Sequence, residues 1–306
     1  MMEKKVDLSV NIAGLGLKNP VIAASGTFGF GREYSAFFDL SMLGGIAVKG
    51  LTLKPRKGNP PPRIAETPAG ILNSVGLQNP GVHAFIKDEI PFLRRYDTAI
   101  IANASGNTVE EYEEMVRILS DADVDAIELN LSCPNVKEGC MVFGSTASGI
   151  EQVVSRVRKS CKKPLIVKLT PNVTDISELA RAAEAAGADA VSLINTLLGM
   201  AIDAKTRRPV LGNITGGLSG PAVKPIALRM VYEVSRAIKI PVIGMGGITT
   251  GTDVAEFLLA GASAVMIGTA GFVNPYAWVE AIDGLEQYMA ENGFSSVSEL
   301  IGGLIV

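Results

Sequence analysis

The run from Glu128 to Gly144, ELNLSCPNVKEGCMVFG, holds the residues of this chain best suited to chemistry. Ile127 and Leu129 carry an extended segment into Asn130. Pro134 then breaks it, because proline lacks a backbone donor and biases the preceding residue away from helix. Cys133 therefore follows a strand end, among Asn130, Ser132 and Asn135, with Lys137 close enough in sequence to favour a thiolate. Two readings stand at this point. One is a reactive thiol; the other is a packing cysteine, since free cysteine is among the most buried residue types. Spacing alone leaves both open.

Other chemistries are narrowed by what the chain holds. His83 is its single histidine, so a multi-histidine metal site is excluded and Ser-His-Asp catalysis would rest on that one residue. It follows Asn79-Pro80-Gly81 at the head of a helical pattern, where a capping or surface role fits better. Cys133, Cys140 and Cys161 have no CxxC spacing, which argues against a zinc or iron–sulfur site on this chain. An odd cysteine count in so long a chain is no disulfide framework. Net charge is −3, so no basic field points to nucleic acid or an anionic membrane. The N-terminal residues carry no apolar h-region, and no apolar run has the length of a membrane helix. The expectation is a reduced, cytoplasmic protein with no membrane span.

Several elements must position Cys133 and its neighbours. The 306 residues, 47% of them hydrophobic, support a large core in a single domain spanning residues 1–306. Residues 6–17 alternate around Ala13-Gly14 and predict a hairpin. Eight short strands are then predicted at 21–24, 44–48, 98–102, 125–129, 164–167, 188–193, 241–244 and 263–267. They are continuous and rich in Val, Ile and Ala, as strands buried on both faces are. Helical patterns at 109–120, 150–161, 176–186, 222–238 and 252–260 alternate with them. This order predicts an α/β fold, a (β/α)8 TIM barrel with an N-terminal hairpin. A doubly wound sheet is the alternative, but no GxGxxG follows the first strand. Two connections, 51–96 and 197–220, are too long for plain loops. Both follow a strand's C-terminal end, the face on which barrels build active sites, and are read as long insertions forming lids or pocket walls.

In such a barrel Ser25, Lys49, Asn103, Asn130, Lys168, Asn195, Gly246 and Gly268 would end the eight strands around one ring. None is acidic. Amides, two lysines and glycines suit an anionic or carbonyl-rich ligand. The glycines after strands seven and eight occupy the usual phosphate position of barrels, with Thr252 and Asn274 expected to open the adjacent helices. A strand-end asparagine is often only a turn residue. Two lysines directly after apolar strands are harder to explain as solvated surface. Amides, lysines and a thiol move protons but not electrons, so a phosphate site beside lysine suggests a cofactor such as FMN.

NLSCPN at 130–135, VKGLTLKPRKGNPPPRI at 48–64, NSVGLQNPG at 73–81, NTLLGMAID at 195–203, GGLSGPAVKPIALR at 216–229 and GMGGI at 244–248 closely resemble the dihydroorotate dehydrogenase family, nearly end to end and in order. The resemblance implies one FMN per subunit and oxidation of dihydroorotate to orotate in de novo pyrimidine (UMP) biosynthesis. It implies that Cys133 is the base taking the C5 proton while hydride passes from C6 to flavin N5. Lys49, Asn73, Ser74, Val75, Gly76, Leu77, Asn130, Asn195 and Thr196 would bind substrate, with Asn135 adding a hydrogen bond. Ser25, Lys49, Gly50, Asn103, Asn130, Lys168, Ile194, Gly220, Gly246, Gly247, Gly268 and Thr269 would bind FMN, the last four at its phosphate.

Cysteine at 133, where the membrane-linked class has serine, implies class 1, as does the absence of a quinone-site extension. The segments around Val48 and at 135–140 look like class 1B, which is NAD-linked. In that subclass a homodimeric core forms a heterotetramer with an electron-transfer subunit carrying FAD and a 2Fe-2S cluster. Fumarate-linked class 1A and a related FMN-dependent dihydropyrimidine oxidoreductase are the alternatives, and a tRNA-acting reductase fits poorly with the charge. A non-catalytic phosphate-binding barrel would not call for the thiol beside Asn130 and Lys49.

Overall fold

The computed structural model describes residues 6–132 and 143–306. Its centre is a closed barrel of eight parallel strands in sequential order: β1 (Val21–Ala23), β2 (Gly45–Ala47), β3 (Ala99–Ala104), β4 (Ala126–Asn130), β5 (Leu165–Lys168), β6 (Ala190–Leu193), β7 (Val242–Met245) and β8 (Ala264–Ile267). Val265 of β8 pairs with Val21 of β1 and closes the ring. Every predicted barrel strand has its counterpart, so the (β/α)8 barrel is the fold.

Side chains alternate between the two faces of a strand, and this produces two cores. Outward residues such as Val21, Ile46, Ile100, Ile127, Leu165 and Val191 pack against the helices. Inward residues, among them Ile22, Ala47, Ile101, Ala126, Ile166, Ala190 and Ile243, fill the barrel itself. The predicted hairpin pairs Val10–Ile12 with Leu15–Leu17 and adds Ile12, Leu15 and Leu17 to this inner core. It plugs the N-terminal end. Ala13 and Gly14 both have positive φ, 53° and 91°, as a two-residue turn matched to strand twist requires.

The helices begin where side chains cap them. Thr108 accepts from the Glu111 N–H before Val109–Asp121, Thr146 from the Gly149 N–H before Ala147–Arg158, and Asp175 from the Ser177 N–H before Ile176–Ala185. Helix Gly251–Leu259 starts in a capping box formed by Thr250 and Asp253. Thr252 therefore lies inside that helix, and Asn274 closes the short helix Ala270–Val273 rather than opening one. The capping hydroxyl lies two residues ahead of the predicted one: of the three threonines in Thr249-Thr250-Gly251-Thr252, Thr250 is the one whose hydroxyl accepts from the Asp253 N–H.

The two long insertions meet. Leu197–Met200 pairs with Thr215–Ser219, which pairs with Gly70–Asn73, which pairs with Ile64–Thr67, all antiparallel. This four-stranded sheet joins segments more than a hundred residues apart over the C-terminal end of the barrel. Among the described residues no helix is long and apolar enough to cross a membrane, and no group of three or more His, Cys, Asp or Glu could hold a metal ion.

Candidate active site

A cavity of about 1300 Å³, its open mouth included, lies between the strands' C-terminal ends and the insertion sheet. Ser25, Lys49, Gly50, Asn130, Lys168, Ile194, Asn195, Thr196, Gly246, Gly247, Gly268 and Thr269 line it from the barrel side. Asn73, Val75, Gly76, Leu77 and Gly220 line it from the insertions. Two residues singled out by the sequence do not. Ser74 is buried behind the wall, where its hydroxyl accepts from Asn59 Nδ2 at 3.1 Å. Asn103 is buried one layer beneath the floor. Cys133, Asn135, Lys137 and Cys140 lie outside the described residues, so the thiol's surroundings are not part of this geometry.

Among the described residues the lining includes Lys49 and Lys168 and no Asp or Glu. Such a wall favours anions and hydrogen-bond acceptors. Lys168 is only 5% exposed. Strand register brings it beside its neighbours: Lys168 pairs with Asn130 on β4 and with Ser192 on β6, while Asn103 on β3 pairs with Glu128 on β4.

Glu128 is the residue that strand-end reading misses. It is wholly buried inside the barrel, below the floor. Its carboxylate accepts from Asn103 Nδ2 and, at 2.7 Å, from Ser192 Oγ, and Lys168 Nζ is 3.9 Å away. A signal was present. Asn130 faces inward, so alternation turns Glu128 inward as well, one layer deeper.

Above it the polar groups are linked. Asn130 Nδ2 donates to Asn103 Oδ1 at 3.3 Å, Ser132 Oγ donates to Asn130 Oδ1 at 3.1 Å, and Asn195 Nδ2 donates to Ser132 Oγ at 2.7 Å. Asn172 was also missed: it donates to the Thr196 carbonyl at 3.1 Å and accepts from the Leu198 N–H at 2.9 Å, fixing where the second insertion departs.

The two insertions close on Thr196 because position 217 is glycine. A Cβ there would come within 1.9 Å of Thr196 Oγ1. Opposite, Gly247 has φ +74, and a Cβ on it would meet Lys224 N at 2.8 Å and the Gly220 carbonyl at 2.9 Å. Glycine at 247 thus lets this corner pack tightly against Lys224 and Gly220, and Gly246, Gly247, Thr249 and Thr269 line the cavity beside it.

Asp253 braces the corner from behind. Its carboxylate accepts from the Thr249 N–H at 2.8 Å, the Thr249 hydroxyl at 2.7 Å, the Thr250 N–H at 2.9 Å and Lys224 Nζ at 2.5 Å. Burial pushes its carboxyl up, but the hydrogen bonds from Lys224, Thr249 and Thr250 outweigh this and bring it down to about 2. On the other side, the Trp278 indole N–H donates to the Ile267 carbonyl at 2.9 Å and seats the end of β8 below Gly268.

The family model for dihydroorotate dehydrogenase matches residues 7–289. The chain is 60% identical, over 97% of its own length and 99% of the relative's, to the dihydroorotate dehydrogenase B (NAD(+)) catalytic subunit of Alkaliphilus oremlandii. It is 59% identical to the protein of that name from Thermoanaerobacter pseudethanolicus, over 98% and 100% of the two lengths. A third relative so named, from Geotalea uraniireducens, is 57% identical over 98% and 99%.

Proposed function

The chain belongs to the dihydroorotate dehydrogenase family, and we propose that it oxidises dihydroorotate to orotate as the FMN-binding catalytic subunit of an NAD-linked enzyme of pyrimidine biosynthesis. The observation that carries this reading is the cavity itself: two lysines, strand-end amides and a glycine corner, with no acidic lining residue among the described residues. That donor set fits the two anions involved, a phosphate-bearing cofactor and a carboxylate substrate. The glycine corner at Gly246-Gly247, lining the cavity ahead of helix Gly251–Leu259, fits a phosphate, and the deeper amides and lysines fit ring carbonyls.

In this reading residues 1–306 form one domain. Ser25, Gly50, Lys168, Ile194 and Gly220 hold FMN, with Gly246, Gly247, Gly268 and Thr269 at its phosphate and Asn103 acting from beneath. Asn73, Val75, Gly76, Leu77, Asn195 and Thr196 hold the substrate, and Lys49 and Asn130 touch both. Ser74 is assigned a supporting place in the wall, through its bond with Asn59. FMN, when bound, supplies the acceptor for the hydride leaving substrate C6. Cys133 takes the C5 proton, which requires a thiolate near neutral pH although an unperturbed thiol ionises at about 8.5. Lys168 offsets negative charge arriving on the cofactor side. A partner subunit carrying FAD and a 2Fe-2S cluster would take the electrons on to NAD⁺. The relatives' name, catalytic subunit, supports such a partner.

Replacing Cys133 by alanine is the sharpest test of the proton-transfer role. FMN content should be retained and turnover lost; full activity in Cys133→Ala would remove the thiol from the mechanism. Purification with the cluster-bearing partner should give NAD⁺-dependent activity, and fumarate-dependent turnover of the isolated chain would reassign it to the fumarate-linked class.

A further inference from the structure

The buried carboxylate under the cavity gives the amides above it a direction. Each side-chain hydrogen bond from Asn195 through Ser132, Asn130 and Asn103 is donated downward, and the chain ends on Glu128. An ionised carboxylate can only accept. With Glu128 at the base, Asn103 must turn its NH₂ down and its oxygen up. That oxygen takes the Asn130 NH₂, which leaves the Asn130 oxygen for Ser132. Ser132 in turn receives Asn195. An amide can otherwise flip at little cost, so its orientation is set by such an anchor. Bonds running in one direction also strengthen one another in a low-dielectric interior.

The same carboxylate faces Lys168 Nζ at 3.9 Å. It is too far for a hydrogen bond and close enough for strong attraction where water is excluded. Ser192 supplies its remaining donor at 2.7 Å. Among the described residues no cavity-lining residue is acidic, and Glu128 contributes its negative charge from one layer below.

We propose that Glu128 is a positioning residue: it fixes the donor direction of the Asn103–Asn130–Ser132–Asn195 ladder and supplies the counter-charge of Lys168. This rests on the FMN-enzyme reading above. Two consequences follow from one group. The floor offers its free amide N–H groups in a fixed arrangement to an acceptor-rich ligand, and the cofactor feels Lys168 together with a nearby negative charge. Taking that negative charge away favours the reduced flavin, which carries more negative charge than the oxidised form, and so raises its midpoint potential.

The test uses the FMN-loaded chain as wild type, Glu128→Gln and Glu128→Asp. It reads the flavin midpoint potential by spectroelectrochemistry and orotate affinity by flavin absorbance. Glutamine has nearly the same shape but can donate as well as accept, so the ladder loses its fixed direction. Glu128→Gln is expected to move the potential to more positive values and to weaken orotate roughly tenfold. Glu128→Asp keeps the charge and should hold the wild-type potential. An unchanged potential or unchanged orotate affinity in Glu128→Gln overturns the proposal, as does an equal potential shift in Glu128→Asp.

Should Glu128→Gln fail to fold, Ser192→Ala decides. It strips one donor from the same carboxylate, leaves the charge less neutralised, and should move the potential to more negative values; no movement overturns the proposal. Wild-type protein that takes up no FMN refutes the FMN-enzyme reading and this proposal with it. FMN uptake with no effect of the variants refutes this proposal alone.

Discussion

The two ends of the barrel are built from the same strands and differ by a two-residue step. At the N-terminal end Ile101, Ala126, Ile166 and Ala190 face inward, sealed by Ile12, Leu15 and Leu17 of the hairpin. Two residues further along, the same faces carry Asn103, Glu128, Lys168 and Ser192, all buried. A further step reaches Asn130 at the cavity floor. One end is dry and closed by dispersion and apolar burial. The other buries charge and amide groups, which is tolerable only because each finds a partner. The lesson is a division of labour along each strand: the lower half holds the barrel together and the upper half is free to bind and react.

Substitutions at the two ends should therefore separate stability from activity. The largest effect is expected at the upper end. Lys49→Ala should lower kcat/KM for dihydroorotate by on the order of 10³ while the thermal midpoint stays within a few degrees of wild type. A comparable loss of stability instead of activity would erase the contrast. At the lower end, Leu17→Ala opens a cavity in the hairpin plug and should cost about 2–5 kcal/mol in denaturant unfolding, with FMN affinity of the folded protein unchanged. Weaker FMN binding in that variant would mean that the two halves are coupled.

A smaller effect sharpens the upper end further. Asp253 has its carboxyl held near 2 against an ordinary 3.8, so its contribution is fully present above about pH 4 and is lost as pH falls towards 2. It amounts to no more than about 2 kcal/mol. Acid unfolding followed by fluorescence should show wild type losing stability across that window and Asp253→Asn showing a flatter profile. Identical profiles would remove the brace behind the Gly246-Gly247 corner.

Much of this was legible in the residues because continuous apolar runs and helix patterns are local signals. The strand-end ring was legible too, since seven of its eight members line the cavity; Asn103 sits below because β3 runs on to Ala104. What was not legible depends on pairing at a distance. Nothing within 64–73 or 215–219 announces that these stretches form one sheet, because register between segments so far apart is set by the barrel that carries them. Glu128 is not itself a strand end, so the strand-end ring does not contain it, although alternation from Asn130 points to it. Ile64, Leu218 and Phe272 line the cavity without any pattern of their own, as apolar wall residues do.

The central claim is that the upper half of this barrel is a flavin site for dihydroorotate. Its most direct test is the absorbance of the purified chain, loaded with FMN, under anaerobic titration with dihydroorotate. The yellow flavin band should bleach in proportion to substrate added and return on exposure to an electron acceptor. A well-folded protein that cannot be loaded with FMN, or one whose flavin band is indifferent to dihydroorotate, would contradict it.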